Sequence, residues 1–195
     1  MTPENSYLII GLGNPGREYI DTRHNIGFML IDRLCVRLDA RGMKLQSKAI
    51  VISTTHAERK IFLAKPQTYM NLSGQSAQGL LNFYKIPMEN MLIAHDDLDI
   101  PFGTIRIRPG GGPGGQKGMA STIEQLGTKE FPRLRIGIGR PPGRMNPSDY
   151  VLQNFSREEM KILSEIVDRA AEAALTFVIE GLKKAMNKYN GSVEV

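Results

Sequence analysis

The chain has 195 residues, a net charge of +5, and 41% hydrophobic against 23% charged residues, which suits one domain with a real core and leaves too little chain for two. A single cysteine, Cys35, excludes an intramolecular disulfide, and no apolar run approaches the roughly 18 residues of a membrane span. No basic segment followed by an apolar stretch opens the chain, so a secretory signal is not expected and a cytoplasmic protein is.

Tyr7 to Leu12 is a short apolar run and predicts a buried first strand. Ile26 to Leu38 follows as a helix, with Gly27, Leu30, Ile31, Leu34, Cys35 and Leu38 on one stripe. Ala49 to Thr55 and Lys60 to Lys65 predict two strands around a polar turn. Ala77, Leu80, Leu81 and Tyr84 keep helical spacing. Met91 to His95 and Thr104 to Arg108 predict strands, Gly118 to Leu126 a short helix, and Leu134 to Ile138 a further strand. Ser156 and Glu159 form a capping box, which can satisfy unpaired amides at a helix start. Met160, Leu163, Val167, Ala170, Ala171, Ala174 and Val178 then share a face. Gly181 can interrupt this helix before Leu182, Ala185 and Met186 resume it. This order predicts an α/β fold, one domain over residues 1–195, with helices on both faces of a sheet.

The charge is localised. Between Ile105 and Arg144 lie Arg106, Arg108, Lys117, Lys129, Arg133, Arg135, Arg140 and Arg144, opposed only by Glu124 and Glu130. Such an excess suits either a polyanion footprint or a solvated basic face.

Two glycine motifs invite misreading. Gly11-Leu-Gly-Asn-Pro-Gly16 matches the dinucleotide-binding pattern. Against that reading, Pro15 removes an amide donor, a polar segment delays the helix, and the next strand ends without an acidic residue for a ribose. The simpler reading is a loop leaving a strand top, with Asn14 facing a cleft. Gly110-Gly-Gly-Pro-Gly-Gly-Gln-Lys-Gly118 lacks the Gly-Lys-Ser/Thr of a phosphate-binding loop. It reads as a flexible surface loop, or as a mobile wall that a bulky backbone can approach.

The residues that can carry chemistry stand beside predicted strand ends: Asn14, the Thr22-Arg-His-Asn25 turn, Met70-Asn71, and His95-Asp-Asp97. In open α/β sheets, sites gather at the carboxyl ends of strands. One imidazole can take a proton from water while a carboxylate fixes its tautomer, and carboxamides can donate to a developing oxyanion. No Gly-x-Ser-x-Gly elbow is present, and the histidines at 24, 56 and 95 have no metal-ligand spacing. Each residue also has a plainer reading: His24 or Asn71 as a helix cap, Asp96 as a turn carboxylate, His95 as structural and His56 as exposed in a hairpin turn.

Gly11-Leu-Gly-Asn-Pro-Gly16, Tyr19 and Thr22-Arg-His-Asn25 resemble the N-terminal signature of the bacterial-type peptidyl-tRNA hydrolase family. Lys65-Pro-Gln-Thr-Tyr-Met-Asn-Leu-Ser-Gly74, His95-Asp-Asp-Leu-Asp-Ile-Pro-Phe-Gly103 and Arg133-Leu-Arg-Ile-Gly-Ile-Gly-Arg-Pro141 are similar to three further signatures, in order along nearly the whole chain. The resemblance implies a twisted mixed sheet wrapped by helices, and hydrolysis of the ester between a peptide and transfer RNA. It implies His24 as general base held by Asp96, Asn14 sensing an N-blocked substrate, and Asn71 binding substrate and orienting water or the oxyanion. It implies Tyr19, Tyr69 and Met70 as cleft walls, Arg108 and Arg135 as a clamp on the 5′ phosphate, and Arg144 near another basic contact. No cofactor, metal or obligatory protein partner is implied, and a monomer is expected.

One departure stands out. Where the family often has Gly-Gly-His-Asn-Gly, this chain has Gly114-Gly-Gln-Lys-Gly118. Lys117 can donate but not accept hydrogen bonds, so it is expected to meet a phosphate near the terminal nucleotides, with Gln116 the nearest residue to replace the lost acceptor. The rival expectation is a non-catalytic, RNA-handling member of the same family, such as a splicing factor.

Overall fold

The computed structural model describes residues 5–192. The first strand, β1 (Ser6–Gly11), shows how the layers arise: Leu8 and Ile10 enter the apolar cluster on one side of the sheet and Ile9 enters the other, as the two-residue period of a strand requires. Each such side chain, fully withdrawn from water, contributes about 1.5–3 kcal/mol before its ordering cost.

The other strands are β2 (Met43–Gln46), β3 (Ala49–His56), β4 (Arg59–Pro66), β5 (Met91–Asp97), β6 (Thr104–Arg108), β7 (Arg133–Gly137) and β8 (Gly191–Ser192). They form one sheet in the order β2-β3-β4-β1-β5-β7-β6-β8. The central four, β4-β1-β5-β7, are parallel, and the flanking pairs are antiparallel, so the sheet is mixed. Helices α1 (Ile26–Arg37), α4 (Pro147–Val151), α5 (Arg157–Glu180) and α6 (Leu182–Tyr189) supply one apolar cluster; α2 (Ser73–Tyr84) and α3 (Lys117–Leu126) supply the other. The expected α/β fold with both faces covered is therefore present. Because the central strands run one way, the loops after β1, β4 and β5 all open at one edge.

The glycine pattern in the first loop serves packing. A Cβ on Gly11 would stand 2.0 Å from the carbonyl oxygen of Gly27, and one on Gly27 would stand 2.5 Å from Leu12 N. The start of α1 thus presses backbone against backbone at the end of β1, an approach that only glycine allows. A 3-10 turn over Arg23–Asn25, and not the glycine loop, leads into α1.

Several expectations need correction. The strand β2 was not expected. It pairs with β3 through Ser47 and Lys48, both at positive φ, a hairpin turn without the usual Gly or Asn. The turn between β3 and β4 has the same form at Ala57 and Glu58, and His56 ends β3 half-buried, not exposed at the turn. Met160 does not share the buried face of α5 and is 51% exposed. Helix α2 begins at Ser73, a turn before its apolar spacing starts. Neither α4 nor the two-residue β8 was expected.

Candidate active site

The His24 turn is fixed from three sides. Arg23, buried, donates to the carbonyls of Gln153 and Asn154, pairs with Glu159 at 2.6 Å, and lies 4.3 Å from the centroid of the Tyr150 ring. Glu159 is also the capping-box acceptor for Ser156 N. The capping box therefore does two things: it starts α5 and anchors the turn that carries His24. His24 itself caps no helix.

His24 Nδ1 meets Asp96 Oδ2 at 2.8 Å, and Asp96 is only 2% exposed. A carboxylate can only accept there, so Nδ1 carries the proton. Nε2, which makes no hydrogen bond among the described residues, is left as the basic nitrogen of an imidazole that lines a cavity of about 550 Å³. Asp96 Oδ1 accepts from Gln116 Nε2 at 3.0 Å. Burial pushes the Asp96 carboxyl up, but the charge of His24 and the hydrogen bonds from His24 and Gln116 outweigh it. The group lies below the usual carboxylate range and stays ionised at neutral pH.

Asn14 and Asn25 lock each other: Asn14 N donates to Asn25 Oδ1 at 2.9 Å, and Asn25 Nδ2 donates to Asn14 O at 3.0 Å. Asn14 Oδ1 accepts from Met70 N at 2.8 Å, so the side-chain group left without a hydrogen bond among the described residues is the donor Nδ2 of a residue that lines the cavity. Asn14, His24, Tyr69, Met70, Asn71, Asp96 and Lys117 all line this one cavity. Asn71 and Lys117 are exposed at its lining, and Asn71 caps no helix.

Other expected residues lie elsewhere. Tyr19, half-buried on the turn that follows Gly16, does not line the cavity. Arg106, Arg108, Arg133 and Arg135 share one face of β6 and β7, with Arg106 opposite Arg135 and Arg108 opposite Arg133. Arg133 is a correction to the basic footprint. It is buried, donates to the carbonyls of Gly112 and Lys129, and so ties the glycine loop to the segment leading into β7. Arg135 pairs with Asp97 at 2.7 Å and Arg140 with Asp99, which partly neutralises both. Among the described residues, Arg106, Arg108, Lys117, Lys129 and Arg144 are exposed or half-exposed cations with no ion pair.

The sequence reading missed part of the site. Pro147, Ser148, Val151 and Leu152 of α4 and its end form a wall. The signal was there: Asn146 caps the helix through Ser148 N, and Pro147 occupies its first turn. His95 does not line the cavity. It is fully buried, with Nδ1 against the Asp96 carbonyl at 2.7 Å and Nε2 without a partner among the described residues, and burial pushes its pKa down.

Fold and site define an α/β protein with a buried histidine–carboxylate pair at the carboxyl ends of parallel strands. Residues 8–195 match the family model described as peptidyl-tRNA hydrolase. A peptidyl-tRNA hydrolase of Alkaliphilus metalliredigens is 48% identical over 186 residues, covering 95% of this chain and all of that one. One from Desulforamulus reducens is 49% identical, covering 94% and 88%. The crystal structure of the Acinetobacter baumannii peptidyl-tRNA hydrolase superposes with a TM-score of 0.88 at 36% identity, covering 97% and 98% of the two chains. The chain belongs to the peptidyl-tRNA hydrolase family.

Proposed function

We propose that this chain hydrolyses the ester joining a peptidyl group to the terminal ribose of transfer RNA, releasing peptide and free transfer RNA. The observation that carries the reading is the buried His24–Asp96 pair beside an open cavity, in a chain of this family. Nε2 of His24 takes a proton from water as the oxygen attacks the ester carbonyl. The resulting imidazolium is stabilised by ionised Asp96, and returns the proton to the leaving ribose oxygen. Asn71, exposed at the cavity lining, supplies a donor to the oxyanion or orients the water.

Asn14 reads the blocked amino group. With its oxygen held by Met70 N, it offers Nδ2 to the carbonyl of the preceding peptide unit. A free α-amino group is partly protonated near neutral pH and would lose solvation in the same place. Tyr69 and Met70 wall the acyl group, and Tyr19 meets the peptide beyond the cavity. Lys117, at the lining, meets a phosphate of the terminal nucleotides. Arg108 and Arg135 hold the 5′ phosphate end, with Arg108 the freer cation, and Arg144 adds a contact near α4.

The reading places the chain in the cytoplasm, where translation supplies such a substrate, as a single domain over residues 1–195. It is proposed to act as a monomer, since Asn14, His24, Asn71 and Asp96, the residues given roles in the chemistry, all come from one chain. The test is incubation of purified protein with N-acetyl-aminoacyl-tRNA and with unblocked aminoacyl-tRNA. The blocked ester is cleaved much faster. Equal rates would overturn the assignment, and binding without cleavage of either would make this a non-catalytic RNA-handling member.

A further inference from the structure

Gln116 has a hydrogen-bonding position that leaves its carboxamide no choice of orientation. Its Oε1 accepts from Met119 N at 2.7 Å and caps α3, while its Nε2 donates to Asp96 Oδ1 at 3.0 Å and to Met70 Sδ at 3.3 Å. Turning the amide over would set oxygen against the carboxylate and NH2 against an N–H, so both contacts would become repulsive. The residue is 8% exposed. Packing holds it there: a Cβ on Gly118 would stand 2.6 Å from Met70 Sδ and 3.0 Å from Gln116 Oε1.

Both Asp96 oxygens are thereby assigned, Oδ2 to His24 and Oδ1 to Gln116. Removing the second donor leaves a buried carboxylate oxygen unsatisfied, and the carboxylate can relieve that only by turning or by taking a proton. Either response loosens the hydrogen bond that fixes the His24 tautomer.

We propose, building on the hydrolysis assigned above, that Gln116 is the positioning residue of the His24–Asp96 pair, and that it acts through a carboxamide that donates to Asp96 while capping α3. It reaches the reaction only through Asp96 and His24. It also joins the pair to the helix start that carries Lys117 to the cavity, so the group expected to meet the RNA end and the group expected to activate water share one rigid junction. The ionisable groups around Asp96 are His24 across the cleft, His95 and Asp97 on β5, and Lys117 at the start of α3. A carboxamide adds no further titration to this set.

Two substitutions separate positioning from capping. Gln116→Ser keeps a good cap oxygen for α3 but is too short to reach Asp96. It is expected to stay folded at the assay temperature with KM close to wild type, to melt somewhat lower because Asp96 Oδ1 is left unsatisfied, and to lower kcat at least about tenfold. Gln116→Glu keeps shape and cap. Its introduced carboxyl imitates glutamine when protonated and repels Asp96 when ionised, and the neighbouring carboxylate raises its pKa. The ratio of variant to wild-type kcat therefore falls as pH rises. A residue that only caps a helix predicts ratios near one for both variants, flat with pH, and that result overturns the proposal.

A third readout does not depend on the substrate: the downfield proton resonance of His24 Nδ1–H in the full chain. Gln116→Ser shifts or broadens it if the proposal holds. An unchanged resonance overturns the proposal even if the wild-type chain cleaves no transfer RNA ester, whereas loss of the ester activity alone overturns only the functional reading.

Discussion

In the cleft, His24, Asp96, Gln116, Asn14 and Met70 are buried, and each is held by at least one hydrogen bond. On the surface of β6, Arg106 and Arg108 are exposed and form no ion pair among the described residues. The two regions lie on one sheet. Arg108 is opposite Arg133, which stands three residues before Ile136, the β7 partner of Asp96, or about 10 Å at 3.3 Å per residue. The contrast separates two tasks. A reacting bond needs groups fixed before the substrate arrives, because misplacement costs rate. A polyanion needs charge that can adjust to it, and freely solvated arginines provide that with little loss when they move.

The largest expected effect breaks the cleft. His24→Ala lowers kcat by about 10²–10⁴-fold, with KM for N-acetyl-aminoacyl-tRNA changed little, in steady-state assays. Wild-type kcat in this variant would remove His24 from the chemistry. Asp96→Asn is expected to cost less, about one to two powers of ten, because it spares the base and disturbs only its orientation and charge.

The basic surface is expected to respond in a different quantity. Arg106→Ala and Arg108→Ala weaken transfer RNA binding, and each lost phosphate contact reduces the slope of log affinity against log salt by about 0.7–0.9. Binding titrations across a salt series check this; slopes equal to wild type would mean neither arginine contacts a phosphate. Lys117→Ala should show the same sign with a smaller loss, stronger at low salt than at high salt.

The smallest effect concerns stability. Burial holds the His95 pKa below its usual value, so the unfolded chain binds a proton that the folded chain resists. The stability is complete above the unfolded value of about 6.5 and is lost as pH falls from there towards the lower folded value. His95→Asn, whose amide can reproduce the contact to the Asp96 carbonyl, should flatten this part of a pH series of melting temperatures. An unchanged slope would show that another group sets it.

The strands that pack on both faces were legible because their apolar runs are continuous, as at Tyr7–Leu12 and Met91–His95. The capping box of α5 was legible because Ser156 and Glu159 make a local bond. The edge strand β2 was not. Met43 and Leu45 are exposed, so no buried face betrays them, and the Ser47-Lys48 turn adopts positive φ without the residues that signal it. His24, Asp96, Asn14 and Asn71 were candidates because they stand beside predicted strand ends, and their roles came from the family resemblance; the structure brings all four to one cavity. Gln116 was weighed only as a replacement for the lost acceptor. Its bond to Asp96 spans 20 residues and depends on where α3 starts, which no local pattern encodes. The charge count likewise could not tell buried Arg133 from exposed Arg108, since their positions on the two strands put both on one face, and it is the glycine loop and the Lys129 segment that cover Arg133.

The division between cleft and surface is tested most directly by kinetics of an Arg106→Ala, Arg108→Ala double variant on two substrates. One is full-length N-acetyl-aminoacyl-tRNA, and the other is a short nucleotide ester of the same acyl group that lacks the 5′ phosphate end. The account predicts a raised KM with unchanged kcat on the long substrate and wild-type kcat/KM on the short one. An equal loss of kcat/KM on both substrates would contradict it, because the arginines would then support the cleft itself.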